Sequence, residues 1–123
     1  MGLRLLRESG IAIAFISGEK SGAVLRRAAK LKITDVFTGV GDKRATLEKF
    51  LARRGINPAD AAYVGDDVND LPAMRRVGLP IAVADAVPEV RKASLWVTSR
   101  RGGDAAVREV CDFLLKSRAP SDR

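Results

Sequence analysis

Three aspartates fall within five residues in the stretch Gly65-Asp66-Asp67-Val68-Asn69-Asp70. The short apolar run Ala61-Ala62-Tyr63-Val64 precedes it and reads as a buried strand. Leu71-Pro72-Ala73-Met74-Arg75-Arg76 follows, with Pro72 suited to the first turn of a helix. Carboxylates this close repel unless protons or a cation compensate. Mg2+ answers that need, because it takes oxygen ligands and is usually held by one or two carboxylates together with phosphate oxygens. The plainer reading of the same residues is a solvated acidic turn with an aspartate capping a helix. The end of a strand favours the first reading, since ligands of open α/β sheets bind beyond the carboxyl ends of the strands.

Two further strand ends carry chemistry. Ser17-Gly18 follows Ile11-Ala12-Ile13-Ala14-Phe15-Ile16, an apolar run without polar alternation that reads as a strand covered on both faces. A hydroxyl beside an exposed glycine amide, ahead of a helix starting near Ser21, makes a small anion site; alternatively Ser17 and Ser21 only cap that helix. Gly41-Asp42-Lys43 opens another helix. A lysine there opposes the helix dipole, so its ammonium calls for a partner such as a phosphate.

The elements that must position these residues alternate along the chain. Helices are expected over 3–9, over 21–31 with Val24, Leu25, Ala28 and Leu31 inward, and over 43–54 with Leu47, Phe50 and Leu51 inward and Gly55 as its stop. Strands are expected over 35–38, 79–84 and 95–98, a short helix over 88–93, and a closing helix over 104–116 with Val107, Val110, Cys111 and Leu114 on one side. The polar residues 117–123 read as a mobile tail after a single domain over 1–116. Alternation of this kind means a parallel sheet in a three-layer α/β/α arrangement.

The bulk properties narrow the function. With 123 residues the chain makes one domain with a real core. Its charge of +7 is spread as Arg26-Arg27, Arg53-Arg54, Arg75-Arg76 and Arg100-Arg101, with one Trp, one Tyr and no nucleic-acid-binding motif, and suits an anionic phosphorylated substrate at least as well as nucleic acid, which is not expected as a partner. There is no histidine, so His-ligated zinc and Ser-His or Cys-His nucleophiles are excluded within this chain. Cys111 has no second cysteine to pair with and reads as a buried thiol. No apolar run is long enough to span a membrane, no signal peptide is visible at the start, and a cytoplasmic location is expected.

A hydroxyl after one strand, a lysine at a helix start and Gly-Asp-Asp-x-x-Asp after another strand, in that order, resemble motifs II, III and IV of the haloacid dehalogenase superfamily. The segments Gly2-Leu3-Arg4-Leu5-Leu6, Phe15 to Ser21, Gly41-Asp42-Lys43, Ala62 to Asp67, Val83-Ala84-Asp85-Ala86 and Gly102-Gly103 through Ala106-Val107-Arg108-Glu109 together resemble its 3-deoxy-D-manno-octulosonate 8-phosphate phosphatase group. The phosphatase-like domain of acylneuraminate cytidylyltransferases is the other similar group. The resemblance covers Gly2 to about Leu115. It implies a HAD-like Rossmannoid fold and Mg2+-dependent hydrolysis of a phosphorylated sugar acid by a homo-oligomer, a tetramer in the family. It implies Asp66 and Asp70 at the metal, with Asp67 and Asn69 supporting it and Asp67 or Asp70 holding Lys43. Ser17 and Gly18 would bind the phosphoryl group, and Lys43 and Ser17 would serve catalysis.

The chain departs from that pattern in three ways. The family's nucleophile is an aspartate of an Asp-x-Asp motif on the first, central strand, but this sequence has no Asp-x-Asp and no Asp before Asp35. Negligible turnover is therefore expected, with a catalytically degenerate binding or assembly module as the alternative. Met1 is expected to coincide with an internal methionine of a longer reading frame. Without the first strand several ladder hydrogen bonds of about 1 kcal/mol each are open, a large loss against a total of ~5–15 kcal/mol. The remaining strands pair directly, or a partner chain fills the gap, or oligomer contacts hold the fold. Finally, Glu19 stands where the family often has a basic residue, and it would repel a sugar acid.

Overall fold

A computed structural model describes residues 10–20, 22–30, 33–102 and 104–117. The helix expected over 3–9 and the tail from 118 lie outside the described residues. In chain order the elements are β1 (Phe15–Ile16), α1 (Gly22–Lys30), β2 (Val36–Phe37), α2 (Lys43–Arg54), a 3-10 turn (Pro58–Asp60), β3 (Ala62–Gly65), a second 3-10 turn (Val68–Asp70), α3 (Leu71–Met74), β4 (Leu79–Ala82), α4 (Pro88–Ala93), β5 (Trp96–Val97) and α5 (Asp104–Ser117). Every strand pair is parallel. The fold class is the expected α/β one.

The strands form two sheets, not one: β1-β2, and β3-β4-β5. Among the described residues no ladder joins β1 or β2 to β3, β4 or β5, so the direct pairing offered as one way to close the gap is not seen there. One helix lies over both sheets. Leu47, Phe50 and Leu51 of α2 are buried in a cluster that takes Ala14, Ile16 and Phe37 from one sheet and Tyr63 from the other. Phe37 meets Phe50 edge to face, with ring centroids 6.3 Å apart. The second cluster, Met74, Ala82, Val83, Ala86, Val90 and Ala106, lies beside β4, and Tyr63 also packs against it.

Local chemistry explains the helix limits. Asp42 caps α2 by accepting from the Ala45 N–H at 3.0 Å. Gly55 ends it in the left-handed region at φ 67°, where its own N–H reaches Ala52 O at 3.1 Å. The inward residues of α2 are those expected. Helix α1 differs: Ala28 is buried, but Leu25 is 51% exposed, so its apolar face is narrower than the periodicity implied. Helix α5 runs through Ser117, one residue into the expected tail, and buries Ala106, Val110 and Cys111.

Strand β1 is the largest correction. Only Phe15–Ile16 pairs, because its partner β2 is itself two residues long and Phe15 pairs with its first residue, Val36. Ile11 to Ala14 stay half-buried without a ladder. In β4, Pro80 sits inside a sheet, where proline is uncommon. Its C=O accepts from Leu95 N at 2.9 Å, so the missing N–H would face the chain just ahead of β5 and little pairing is lost.

Two positions yield predictions. A Cβ on Gly78 would lie 2.0 Å from the Ala59 carbonyl oxygen. Gly78→Ala must therefore push two backbone segments apart and is expected to cost about 1–3 kcal/mol; a urea midpoint equal to wild type would show that the segments do not touch. Glu109 of α5 accepts from Ser99 N (2.8 Å), Ser99 Oγ (3.2 Å) and Arg100 N (3.0 Å). The Ser99 N–H first, then the Arg100 N–H and the Ser99 hydroxyl, hold its carboxyl below the usual range against the opposing effect of desolvation. A depressed folded-state value means the contribution is complete above the unfolded value of about 4.3 and is lost as pH falls through the folded one. Glu109→Gln is thus expected to be less stable than wild type at pH 7 and to converge with it in acid; a gap in thermal midpoint that widens in acid would contradict this.

Candidate active site

The three aspartates after β3 take three different environments. Asp70 is buried, at 3% exposure, and both its oxygens are occupied. Oδ1 accepts from Lys43 Nζ at 2.9 Å and from the Tyr63 hydroxyl at 2.7 Å. Oδ2 accepts from Asp66 N at 3.1 Å and Asp67 N at 3.3 Å. Burial works to raise its pKa, but the bonds from Tyr63, Lys43 and the Asp66 amide outweigh that and hold it below the usual carboxylate range. Four donors already use the lone pairs of Asp70, and its geometry is that of an anchor for Lys43, one of the two roles the resemblance allowed it.

Asp67 is exposed and caps the second 3-10 turn. Its Oδ1 accepts from Val68 N at 2.7 Å, and the Asp70 carboxylate reaches back to the Asp67 N–H in a capping box. The plain capping reading thus holds for Asp67. Asn69 is exposed on the same turn. Asp66 is also exposed, and its carboxyl group lies within hydrogen-bonding reach of the Asp70 carboxylate. Desolvation first, then the neighbouring Asp70 carboxylate, hold Asp66 above the usual range, and Lys43 offsets this only in part. That surplus of negative field is what a cation would relieve.

Backbone geometry sets Asp66 in place. Its N–H goes to Asp70 Oδ2, and its C=O accepts from Val87 N at 3.0 Å. Gly65 makes the close packing possible, because a Cβ there would lie 2.6 Å from Met74 Sδ and 2.9 Å from Asp70 Cβ. Lys43, although first in α2, turns its ammonium away from the helix end to Asp70, with the two side chains 11% and 5% exposed. This pairing resolves the conflict with the helix dipole.

Ser17 and Gly18 lie beyond β1, on the other sheet. Ser17 Oγ accepts from Glu19 N at 3.1 Å, and Ser17 O accepts from Val40 N at 3.0 Å. Glu19 O in turn accepts from Gly39 N at 2.8 Å. These bonds tie the Ser17 loop to the segment that leads into Lys43. Among the described residues no hydrogen bond joins Ser17 to Lys43, Asp66 or Asp70, so the structure brings Lys43, Asp66 and Asp70 into one bonded group and sets Ser17 and Gly18 beside its approach loop.

Tyr63 is the site residue that the sequence reading passed over. Burial first, then its bond to Asp70, raise its phenol pKa far above the ordinary value, so it stays a donor. The signal was present, since a tyrosine inside an otherwise apolar strand needs a partner for its hydroxyl. Among the described residues no group of three acidic, cysteine or histidine side chains could hold a metal ion. The chemistry of the donor set still fits Mg2+ in part. Asp66 supplies one exposed carboxyl group, and Mg2+ completes its shell readily with water and phosphate oxygens.

A parallel α/β fold with a lysine–aspartate pair and an exposed carboxyl group beyond the end of β3 is of the Rossmann-like kind. The family profile of haloacid dehalogenase-like hydrolases matches residues 26–109, and the chain belongs to that family. It is 42% identical over 121 residues to the 3-deoxy-D-manno-octulosonate 8-phosphate phosphatase KdsC of Escherichia coli K12, covering 98% of this chain and 64% of that protein. The chain thus spans just under two thirds of the curated relatives it matches first. The phosphatase of the same name from Moraxella catarrhalis, solved with magnesium, phosphate and KDO, superposes with a TM-score of 0.92 at 40% identity, over 98% of this chain and 70% of that one. That from Yersinia pestis gives 0.92 at 41%, over 95% and 63%.

Removing Asp70 strands the Lys43 ammonium in a buried site. Asp70→Ala is expected to cost about 3–5 kcal/mol, whereas Asp66→Ala should leave stability within about 0.5 kcal/mol of wild type. Urea unfolding of both variants orders the two residues, and equal losses would contradict the separation into anchor and free ligand.

Proposed function

We propose that this chain is the cation- and phosphate-handling part of a Mg2+-dependent phosphomonoester hydrolase acting on a phosphorylated sugar acid such as 3-deoxy-D-manno-octulosonate 8-phosphate. The observation that carries this reading is the Asp70 carboxylate holding Lys43 2.9 Å away while the adjacent Asp66 carboxyl group, crowded by Asp70, is exposed to solvent. The named relatives supply the substrate class.

In this reading Asp66 is the protein's carboxylate for Mg2+, and Asp67 and Asn69 line the same turn. When bound, the ion would screen the charge that gathers on the phosphoryl oxygens. Lys43 neutralises a second side of that charge, and Asp70 with Tyr63 fixes where its ammonium stands. The Ser17 hydroxyl and the Gly18 N–H donate to phosphoryl oxygens. Phosphoryl transfer draws most of its catalysis from such positioning and charge stabilisation. Ser17 is not the nucleophile: its Oγ accepts from Glu19 N, and the sequence contains no histidine to act as its base. No Asp-x-Asp pattern is present to supply an aspartate nucleophile either. A homo-oligomer, a tetramer by analogy with the family, belongs to the same proposal, and light scattering of the purified chain tests it.

The second reading is a catalytically degenerate binding or assembly module. The two unjoined sheets favour it. Ligand linkage separates the readings, because a ligand that binds the folded state at a hundredfold its Kd stabilises by about 2.7 kcal/mol. Mg2+ with inorganic phosphate is expected to raise the thermal midpoint of the wild-type chain and not that of Asp66→Asn. No shift in wild type would leave the assembly reading standing. Release of phosphate from p-nitrophenyl phosphate by the 123-residue chain is expected to be negligible; clear Mg2+-dependent release would mean that a nucleophile has been overlooked.

A further inference from the structure

A second hydrogen-bonded network, outside the site, converges on Asp66 from the far side of β3. It begins at Glu109 on α5, whose carboxylate holds the Ser99 and Arg100 amides after β5. Thr98, just ahead of them, is 3% exposed, and its hydroxyl donates to Arg100 O at 2.6 Å and accepts from Ala84 N at 3.1 Å. The Ala84 N–H also reaches Arg100 O at 3.2 Å. Asp85 adds a second tie, its Oδ1 accepting from Gly102 N at 2.7 Å. The loop over 99–102 is thereby bound to the turn after β4. That turn closes with Ala86 N donating to Val83 O at 3.0 Å, and its next residue, Val87, donates to Asp66 O at 3.0 Å.

We infer that Glu109 and Asp85 are positioning residues for Asp66, acting through the Thr98–Arg100–Ala84 junction and the Val87 N–H. This rests on the reading of Asp66 as the carboxylate that holds the cation. The physical case is one of incomplete constraint. Asp70 fixes Asp66 at its amide, and nothing else in the Asp70 group fixes its carbonyl. A carboxylate whose backbone can swing meets a cation with poorer geometry, and residues that orient a ligand from behind typically change metal affinity by about 10–100-fold. The network joins the last helix and the last two strands to that one carbonyl. It is closed to water at Thr98, so the Thr98 bonds are worth more than the exposed ones that Glu109 and Asp85 make.

The test uses the full chain and two readouts: Mg2+ affinity by calorimetry, and amide hydrogen exchange at Val87. Glu109→Ala and Asp85→Ala are each expected to weaken Mg2+ binding about tenfold and to speed exchange at Val87. Glu48→Ala removes the surface pairs with Arg44 and Arg76 and should change neither readout. If Glu109→Ala fails to fold, Glu109→Gln, which keeps one acceptor oxygen, is read in the same way. Faster exchange confined to 99–102, with Val87 and Mg2+ affinity as in wild type, would overturn the inference and leave the phosphatase reading intact. Mg2+ binding that Asp66→Asn does not weaken would overturn the reading, and the inference with it.

Discussion

The carboxylate of Asp70 is the interaction on which the rest of the structure depends. One side chain with two oxygens collects an ammonium, a phenol and two backbone amides. Each donor comes from an element that must be placed independently: α2 through Lys43, β3 through Tyr63, and the turn after β3 through the Asp66 and Asp67 amides. A buried ion pair offsets its desolvation only when its remaining lone pairs are filled, and here they are. The same four bonds leave Asp66 as an exposed carboxyl group at the edge of the cluster. One arrangement of three like charges thus produces a buried anchor and an exposed neighbour.

Much of this was legible along the chain, and the legible parts share a cause. The limits of α2 follow from Asp42 and Gly55, which act on their own neighbours. The limits of α4 follow similarly from Pro88 at its first position. The clustered aspartates pointed to charge that needs compensation, whatever the fold. What could not be read depends on partners distant in the chain. Phe15 and Ile16 pair while Ile11 to Ala14 do not, because β2 offers only two residues, and nothing in the apolar run reveals its partner's length. The roles of Asp66, Asp67 and Asp70 diverge because Lys43 lies 27 residues from Asp70 and Tyr63 lies seven away on the buried side. The division of the strands into two sheets is likewise a property of pairing and not of any segment.

The family relationship and the geometry inform each other without coinciding. The relatives are named as phosphatases of a sugar-acid phosphate, and the proposal that the lysine, the hydroxyl and the exposed carboxyl group act as one charge-stabilising set draws on those names. The geometry distinguishes the bonding of the three aspartates, and it sets Ser17 and Gly18 at the end of one sheet and Asp66 at the end of the other. Glu19, exposed beside Ser17, places a negative charge at that seam.

Helix α2 has a mechanical consequence. It packs on both sheets, and its first residue is tied to Asp70 by the Lys43 ion pair. Strands joined by ladders open together, whereas units joined only by side-chain packing can open separately. Among the described residues no ladder joins the β1-β2 layer to the β3-β4-β5 layer, and α2 with Ala73 of α3 packs between them. A separation of the two layers would therefore break side-chain packing and no sheet hydrogen bond.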